Sequence, residues 1–201
     1  MSFPSPLAIA SRNPGKLREI LAICADWPVT WLTVETHEGP WPTVEEPHDT
    51  YLENALAKAR TVATALGAAA LADDSGIEVD ALGGGPGPRS ARYAGEGATD
   101  RQNLETLIRA LAGVPASGRT ARYRCVAAVV WPDGREVWAE GHCEGTLLAR
   151  PRGTGGFGYD PIFVPAGWER TMAELAPEEK DRISHRGRAL RHLRELLERE
   201  P

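Results

Sequence analysis

The chain is short of cysteine, with three residues, Cys24, Cys125 and Cys143, among 201. Their number is odd, their spacing is wide and no C-x-x-C pair occurs. One bridge is conceivable by count alone, but reduced thiols in a reducing compartment are expected. The neighbours His142 and Cys143 lack the second spaced pair a zinc site needs, so they read as ordinary strand residues. A basic excess is also missing. Lys and Arg number 23 against 28 Asp and Glu, a formal net charge of −5. This argues against broad nucleic-acid or membrane-surface binding, which needs a basic field. No apolar run approaches the roughly 18 to 20 residues that span a bilayer. The N-terminal MSFPSPLAIASR has no basic stretch and too short an apolar core for a signal peptide. A soluble, cytoplasmic protein is expected. Repeats at solenoid periods and low-complexity tails are lacking as well. What remains is 42% hydrophobic and 25% charged, enough to bury an interior in one large domain or two small lobes sharing a core.

The apolar pattern supplies the elements. Residues 7–10 (LAIA) read as a short buried strand that turns through SRNPGK into a helix, with Leu17, Ile20, Leu21 and Cys24 at helical spacing. Residues 29–34 alternate weakly and could form a second strand. Thr50 and Glu53 make a T-x-x-E capping box. A long amphipathic helix follows through Leu52, Ala55, Leu56, Ala59, Ala63 and Leu66 to Gly67. AAALA at 68–72 reads as a fully buried strand ending at Asp73-Asp74-Ser75-Gly76. Thr99 and Gln102 open a further helix, with Leu104, Leu107, Ile108 and Leu111 on its face and Gly113 just past its end. Residues 121–131 and 135–146 are β-rich around Pro132-Asp133-Gly134, a hairpin signal. Leu190, Leu193, Leu196 and Leu197 mark a C-terminal helix over 186–199. Early strand-helix alternation with a late hairpin makes the fold class α/β with a mixed sheet.

Four segments carry chemistry. In Ser11-Arg12-Asn13-Pro14-Gly15-Lys16 a strand turns into a helix, so free N–H groups at the helix start could receive phosphate beside Lys16. The segment is neither a Walker A loop nor a G-x-G-x-x-G fingerprint. The other reading is a capped turn with a solvated lysine. Glu45 and Glu46 precede the long helix, and Asp73 and Asp74 follow the apolar strand. Neighbours on a strand point to opposite faces, so one of Asp73 and Asp74 is expected in a cleft. Converging acids would be relieved by a hard cation, Mg²⁺ or Mn²⁺. Alone, Glu45 and Glu46 read better as a solvated loop, and an Asx turn is the alternative for DDSG. Asn54 and Lys58, four apart, share a helix face, and taken singly each reads as helix surface. Pro151–Pro161 holds four glycines between residues 153 and 158. They allow close backbone approach to a ligand, while Phe157 and Tyr159 offer flat surfaces for a base; a plain glycine-rich corner is the alternative. Lys180 and Ser184-His185-Arg186 add cationic and base-edge donors near a helix start. Together these are the parts for a nucleoside triphosphate.

Six segments in one order, SRNPGK with Glu19, TYLENALAKA, LADDSGIEVDALGGGPG, SARYAG, PRGTGGFGYDPIF and SHRGRAL, resemble the inosine/xanthosine triphosphate pyrophosphatase family, also called Ham1-like. The resemblance covers nearly the whole chain. It implies a single domain over residues 1–201, elongated, with two lobes around a long mixed sheet and the active site in the cleft between them. A homodimer is implied too. So is Mg²⁺-dependent hydrolysis between the α and β phosphates of ITP, dITP and XTP, giving a monophosphate and pyrophosphate, with no nucleic-acid or membrane partner. By position, Ser11, Arg12, Asn13, Pro14, Gly15 and Lys16 would hold the triphosphate. Asp74 would be the general base and a metal ligand, Glu45 a second metal ligand and Ser75 a substrate contact. Phe157, Gly158, Tyr159 and Asp160 would clamp the base, with Lys180, His185 and Arg186 completing the pocket. The chain departs from the family at Pro88-Arg89, where an apolar or aromatic residue usually precedes the SAR motif.

Overall fold

The computed structural model describes residues 3–199. In chain order its elements are β1 (Leu7–Ile9), α1 (Pro14–Ile23), β2 (Trp31–Leu32), α2 (Tyr51–Leu66), β3 (Ala69–Val79), α3 (Asp100–Ala110), β4 (Thr120–Val130), β5 (Glu136–Leu147), β6 (Phe163–Pro165), α4 (Pro177–Ile183) and α5 (His185–Arg199). The strands form one sheet in the order β2-β1-β3-β4-β5-β6. β1 pairs in parallel with β2 and β3, Leu7 lying opposite Ala69 and Ile9 opposite Leu71, whereas β5 and β6 are antiparallel. The sheet is therefore mixed, as expected: helices α1 and α2 supply the crossovers that parallel strands require. β4 and β5 are joined by the turn at 131–135, closed by Trp131 N–H donating to Arg135 O at 2.9 Å.

The chain divides into two compact units. One comprises the residues up to Asp74, Cys125–Gly141 and those from Arg186 on; the other comprises Ser75–Arg124 and His142–His185. In the first unit the sheet is buried on both faces, with strict alternation. Leu7, Ile9, Ala69, Leu71, Cys125, Ala127 and Val129 share a core with Leu17 and Ile20 of α1 and with Leu190, Leu193 and Leu197 of α5. The intervening Ala8, Ala70, Ala72, Val126, Ala128 and Val130 share another with Tyr51, Ala55, Ala59, Val62 and Ala63 of α2. Burial on both sides is why LAIA and AAALA read as continuous apolar runs.

In the second unit one sheet face is apolar. Ile77 and Val79 of β3, Tyr123 of β4 and Leu147 of β5 pack with Leu104 and Leu107 of α3 and with Phe163 and Met172. Between those strand residues stand charges: Arg122 bridges Glu144 at 3.2 Å and Asp80 at 3.0 Å, and Arg124 bridges Glu78 at 3.5 Å. Gly76 permits a tight approach here, since a Cβ on it would lie 2.2 Å from the Gly87 carbonyl oxygen and 2.6 Å from Ser90 Oγ.

Several expectations shift. β3 does not end at Asp73 but runs on to Val79. Asp and Gly are poor strand formers, which hid the continuation, yet Ile77 and Val79 resume the burial pattern. β2 is only Trp31–Leu32. The Thr50 hydroxyl accepts from Glu53 N–H at 3.2 Å as expected, but it then donates to the Glu53 carboxylate at 2.7 Å. Thr99 and Gln102 form the full reciprocal box at α3. Leu21 and Leu196 stay exposed, at 36% and 38%. The three cysteines are free thiols and buried, and burial pushes Cys24 and Cys125 well above the ordinary thiol range.

Candidate active site

The alternation of β3 continues past Ala72 and decides what the two aspartates meet. Asp73 follows Ala69 and Leu71 onto the face of α1 and α5. There the Arg186 guanidinium holds its Oδ2 from Nη2 at 2.9 Å and from Nε at 3.2 Å, and Lys16 Nζ lies 3.2 Å from the same oxygen. Arg186 also bonds Glu19 and is only 1% exposed. Asp74 follows Ala70 and Ala72 onto the face of α2. Its Oδ1 accepts from Lys58 Nζ at 3.0 Å and its Oδ2 from Asn54 Nδ2 at 3.2 Å. Lys58 also bonds Glu46, and Asn54 Nδ2 and Oδ1 tie to His48 O and N–H, both at 3.0 Å.

The two carboxyls therefore differ in character. Burial opposes the charge on Asp73, but Arg186, Lys16 and Lys58 outweigh it and hold the group well below the usual carboxylate range. At Asp74 burial prevails over Lys58 and Lys16, and Glu46 adds to it, so the carboxyl lies above its ordinary value. Asp73 is a fixed anion in a structural ion-pair cluster. Asp74 is the more basic group, with both oxygens oriented by donors.

The turn before α1 is more closed than its sequence suggests. Asn13 caps the helix, its Oδ1 accepting from Gly15 N–H at 2.8 Å and Lys16 N–H at 3.1 Å, and Ser11 Oγ accepts from Asn13 N–H at 3.2 Å. Those amides, expected to be free, already have acceptors, and Lys16 Nζ, the charged group of the turn, lies against Asp73. Arg12 donates from Nη2 to Trp41 O at 2.7 Å, tying the turn to the segment that leads into Glu45 and Glu46. Glu45 is exposed and Glu46 half-buried. Among the described residues no three His, Cys, Asp or Glu side chains form a metal-holding group by themselves. The carboxylate that shares Lys58 with Asp74 is that of Glu46, the neighbour of Glu45, and carboxylate oxygens are the kind Mg²⁺ takes one or two at a time beside substrate phosphates.

In the second unit the glycine-rich segment is organised by Asp160, which is 3% exposed. Its Oδ2 accepts from Lys180 Nζ at 2.5 Å and from Phe157 N–H at 2.9 Å, and its Oδ1 accepts from Tyr123 Oη at 3.3 Å. Gly156 must be glycine twice over: its φ is +66°, and a Cβ would lie 2.1 Å from Asp160 Oδ2. Lys180 Nζ stands 5.0 Å from the centre of the half-buried Phe157 ring. The His185 imidazole is stacked on Tyr123 at 4.5 Å and 7°. Tyr159 is a core residue, 4% exposed, with its hydroxyl donating to Ser90 O at 2.8 Å. Of the two expected stacking surfaces, Phe157 is the one that remains partly open.

With this geometry in view, known proteins supply the context. Residues 7–196 match the sequence pattern of the Ham1 family. The chain belongs to the Ham1 family. It is 50% identical over 191 residues to a dITP/XTP pyrophosphatase of Geobacter sulfurreducens, covering 95% of this chain and 96% of that one. It is 48% identical to a dITP/XTP pyrophosphatase of Streptomyces coelicolor, covering 95% and 98%. Among solved structures, a Ham1 protein from Coxiella burnetii superposes with a TM-score of 0.86 at 39% identity, covering 98% of this chain and 100% of that one.

Within this Ham1-family chain, the residues named from sequence fall into two groups. Ser11 to Lys16, Glu45, Asp74 and Arg186 lie in the first unit; Ser75, Phe157 to Asp160, Lys180 and His185 lie in the second. Arg186, named as a pocket residue, has its guanidinium on Asp73 and Glu19. Asn54 and Lys58, read singly as helix surface, are buried at 0% and 6% and hold Asp74. Their i, i+4 spacing on an alanine-rich helix was the available signal. Tyr123 was not singled out, and its only signal was an inward position on β4.

Proposed function

We propose that the protein hydrolyses deaminated purine nucleoside triphosphates, ITP, dITP and XTP, to the monophosphate and pyrophosphate. The observation that carries this reading is Asp74: a buried carboxylate, more basic than usual, with both oxygens oriented by Lys58 and Asn54. Such a group is suited to take a proton from water as that water attacks phosphorus. The relatives called dITP/XTP pyrophosphatase support the substrate class.

A purine triphosphate presents two chemistries, phosphate and base, and this chain has side chains suited to each. In the first, Lys16 would neutralise the departing pyrophosphate, helped by the Ser11 to Gly15 turn. Glu45 and Asp74 would hold Mg²⁺, or Mn²⁺, which when bound lowers the charge of the triphosphate. In the second, Phe157 would stack on the base, and Gly158, Tyr159, Asp160, Lys180 and His185 would form its surroundings, with Ser75 as a further contact. Lys180 has only protons to offer. A 6-oxo group would accept a further hydrogen bond from the ammonium that Asp160 already holds, whereas the 6-amino group of adenine offers no acceptor there and forgoes that bond, about 1.5–3 kcal/mol for a charged donor. Arg186 would act mainly by holding Asp73. A cytoplasmic homodimer completes the reading.

Pyrophosphate release from ITP, XTP, GTP and ATP with Mg²⁺ tests it, beside Asp74→Asn. Release from ITP and XTP should far exceed that from ATP and GTP, fall about 10²-fold or more in the variant, and cease with EDTA until Mg²⁺ is restored. Tight ITP binding without pyrophosphate would instead mark a silent nucleotide-binding module.

A further inference from the structure

His185 and Asp160 are separated by 25 positions in the chain, yet one side chain outside both motifs touches each. Tyr123 lies on β4, 7% exposed, with its ring parallel to the His185 imidazole at 4.5 Å and tilted against Phe163 at 4.7 Å. Its hydroxyl donates to Asp160 Oδ1, leaving Oδ2 for Lys180 and Phe157 N–H. All of these residues belong to the second unit. A parallel ring on a strand restricts the imidazole to one plane, because tilting it would lose face contact and strike the neighbouring core. The same residue braces the carboxylate on which Lys180 and the Phe157 backbone converge.

We infer that Tyr123 is a positioning residue for purine binding, its ring setting the plane of His185 while its hydroxyl adds a brace to Asp160. The inference rests on the proposed reading of His185 and Asp160 as base-side residues. It places the larger effect in the ring, since a hydroxyl contact at 3.3 Å is long for an O–H donor.

The test compares Tyr123→Leu, Tyr123→Met and Tyr123→Phe with the wild type. It measures inosine monophosphate binding by calorimetry, the KM and kcat for ITP with Mg²⁺, and Tm. The Leu and Met variants should bind inosine monophosphate roughly three- to tenfold more weakly. Their KM for ITP should rise alike with kcat unchanged at saturation, and the Phe variant should stay within about twofold of wild type. Met fills irregular space without a planar face, so it carries the test if the Leu variant does not fold. Wild-type affinity in the Leu and Met variants would overturn the inference. Equal weakening in the Phe variant would do so too, by removing the ring from the explanation. A kcat loss with unchanged KM would reduce Tyr123 to a structural residue. Failure of the wild type itself to bind inosine monophosphate would overturn the purine reading, and the inference with it.

Discussion

Arg186 shows how one buried cation governs an acidic neighbourhood. Its guanidinium answers both Asp73 and Glu19, and Lys16 reaches Asp73 from the start of α1. Removing one partner of a buried pair leaves the other charge uncompensated, at about 3–5 kcal/mol. Arg186→Met should therefore lower the urea midpoint by an amount equivalent to that loss, whatever its effect on nucleotide. A change under about 1 kcal/mol would mean that water or Lys16 satisfies the two acids. At this scale the sequence was legible where residue type restricted the chemistry, as at Asp74 and Lys16. It was poorly legible at Asn54 and Lys58, whose polar heads suggest solvent. The Asp74 carboxylate arriving from β3, with Glu46 on Lys58 and the His48 backbone on Asn54, makes their burial favourable.

Among the elements, helix termini were read most securely because their chemistry is local. Thr99 accepts from Gln102 N–H, and Gln102 Oε1 accepts from Thr99 N–H at 2.8 Å. Thr99→Ala should cost about 1 kcal/mol, measured by chemical denaturation, with ITP turnover unchanged. The strands were harder. β2 has two residues and owes its existence to pairing with β1, information that no local window contains. β3 outran its apolar signal because Asp73 and Asp74 are compensated by side chains distant in sequence, Arg186 at one and Lys58 at the other. Gly76 conceals another long-range cause: the strand continues there only because no Cβ meets the Gly87 carbonyl.

For the whole molecule, the net charge of −5 gives an expectation independent of the site. Without a basic field, the protein should pass through heparin at physiological salt without retention. Retention lost only at high salt would reveal a local basic surface that the total conceals. No helix among the described residues is long and apolar enough to cross a membrane. The α/β class and mixed sheet were legible from the order of periodic segments, since a helix between strands and a tight hairpin dictate different pairings. Two lobes were expected, but the boundaries of the two units were not legible, because each unit gathers segments from separate parts of the sequence. The alternation along Ala69–Val79 also has a genetic meaning. One codon inserted or deleted between Ala69 and Asp73 would send each aspartate to the opposite face, exchanging their partners while leaving both aspartates in the chain. Substitutions within this stretch can be graded by size and charge, but a change in its length has no mild form.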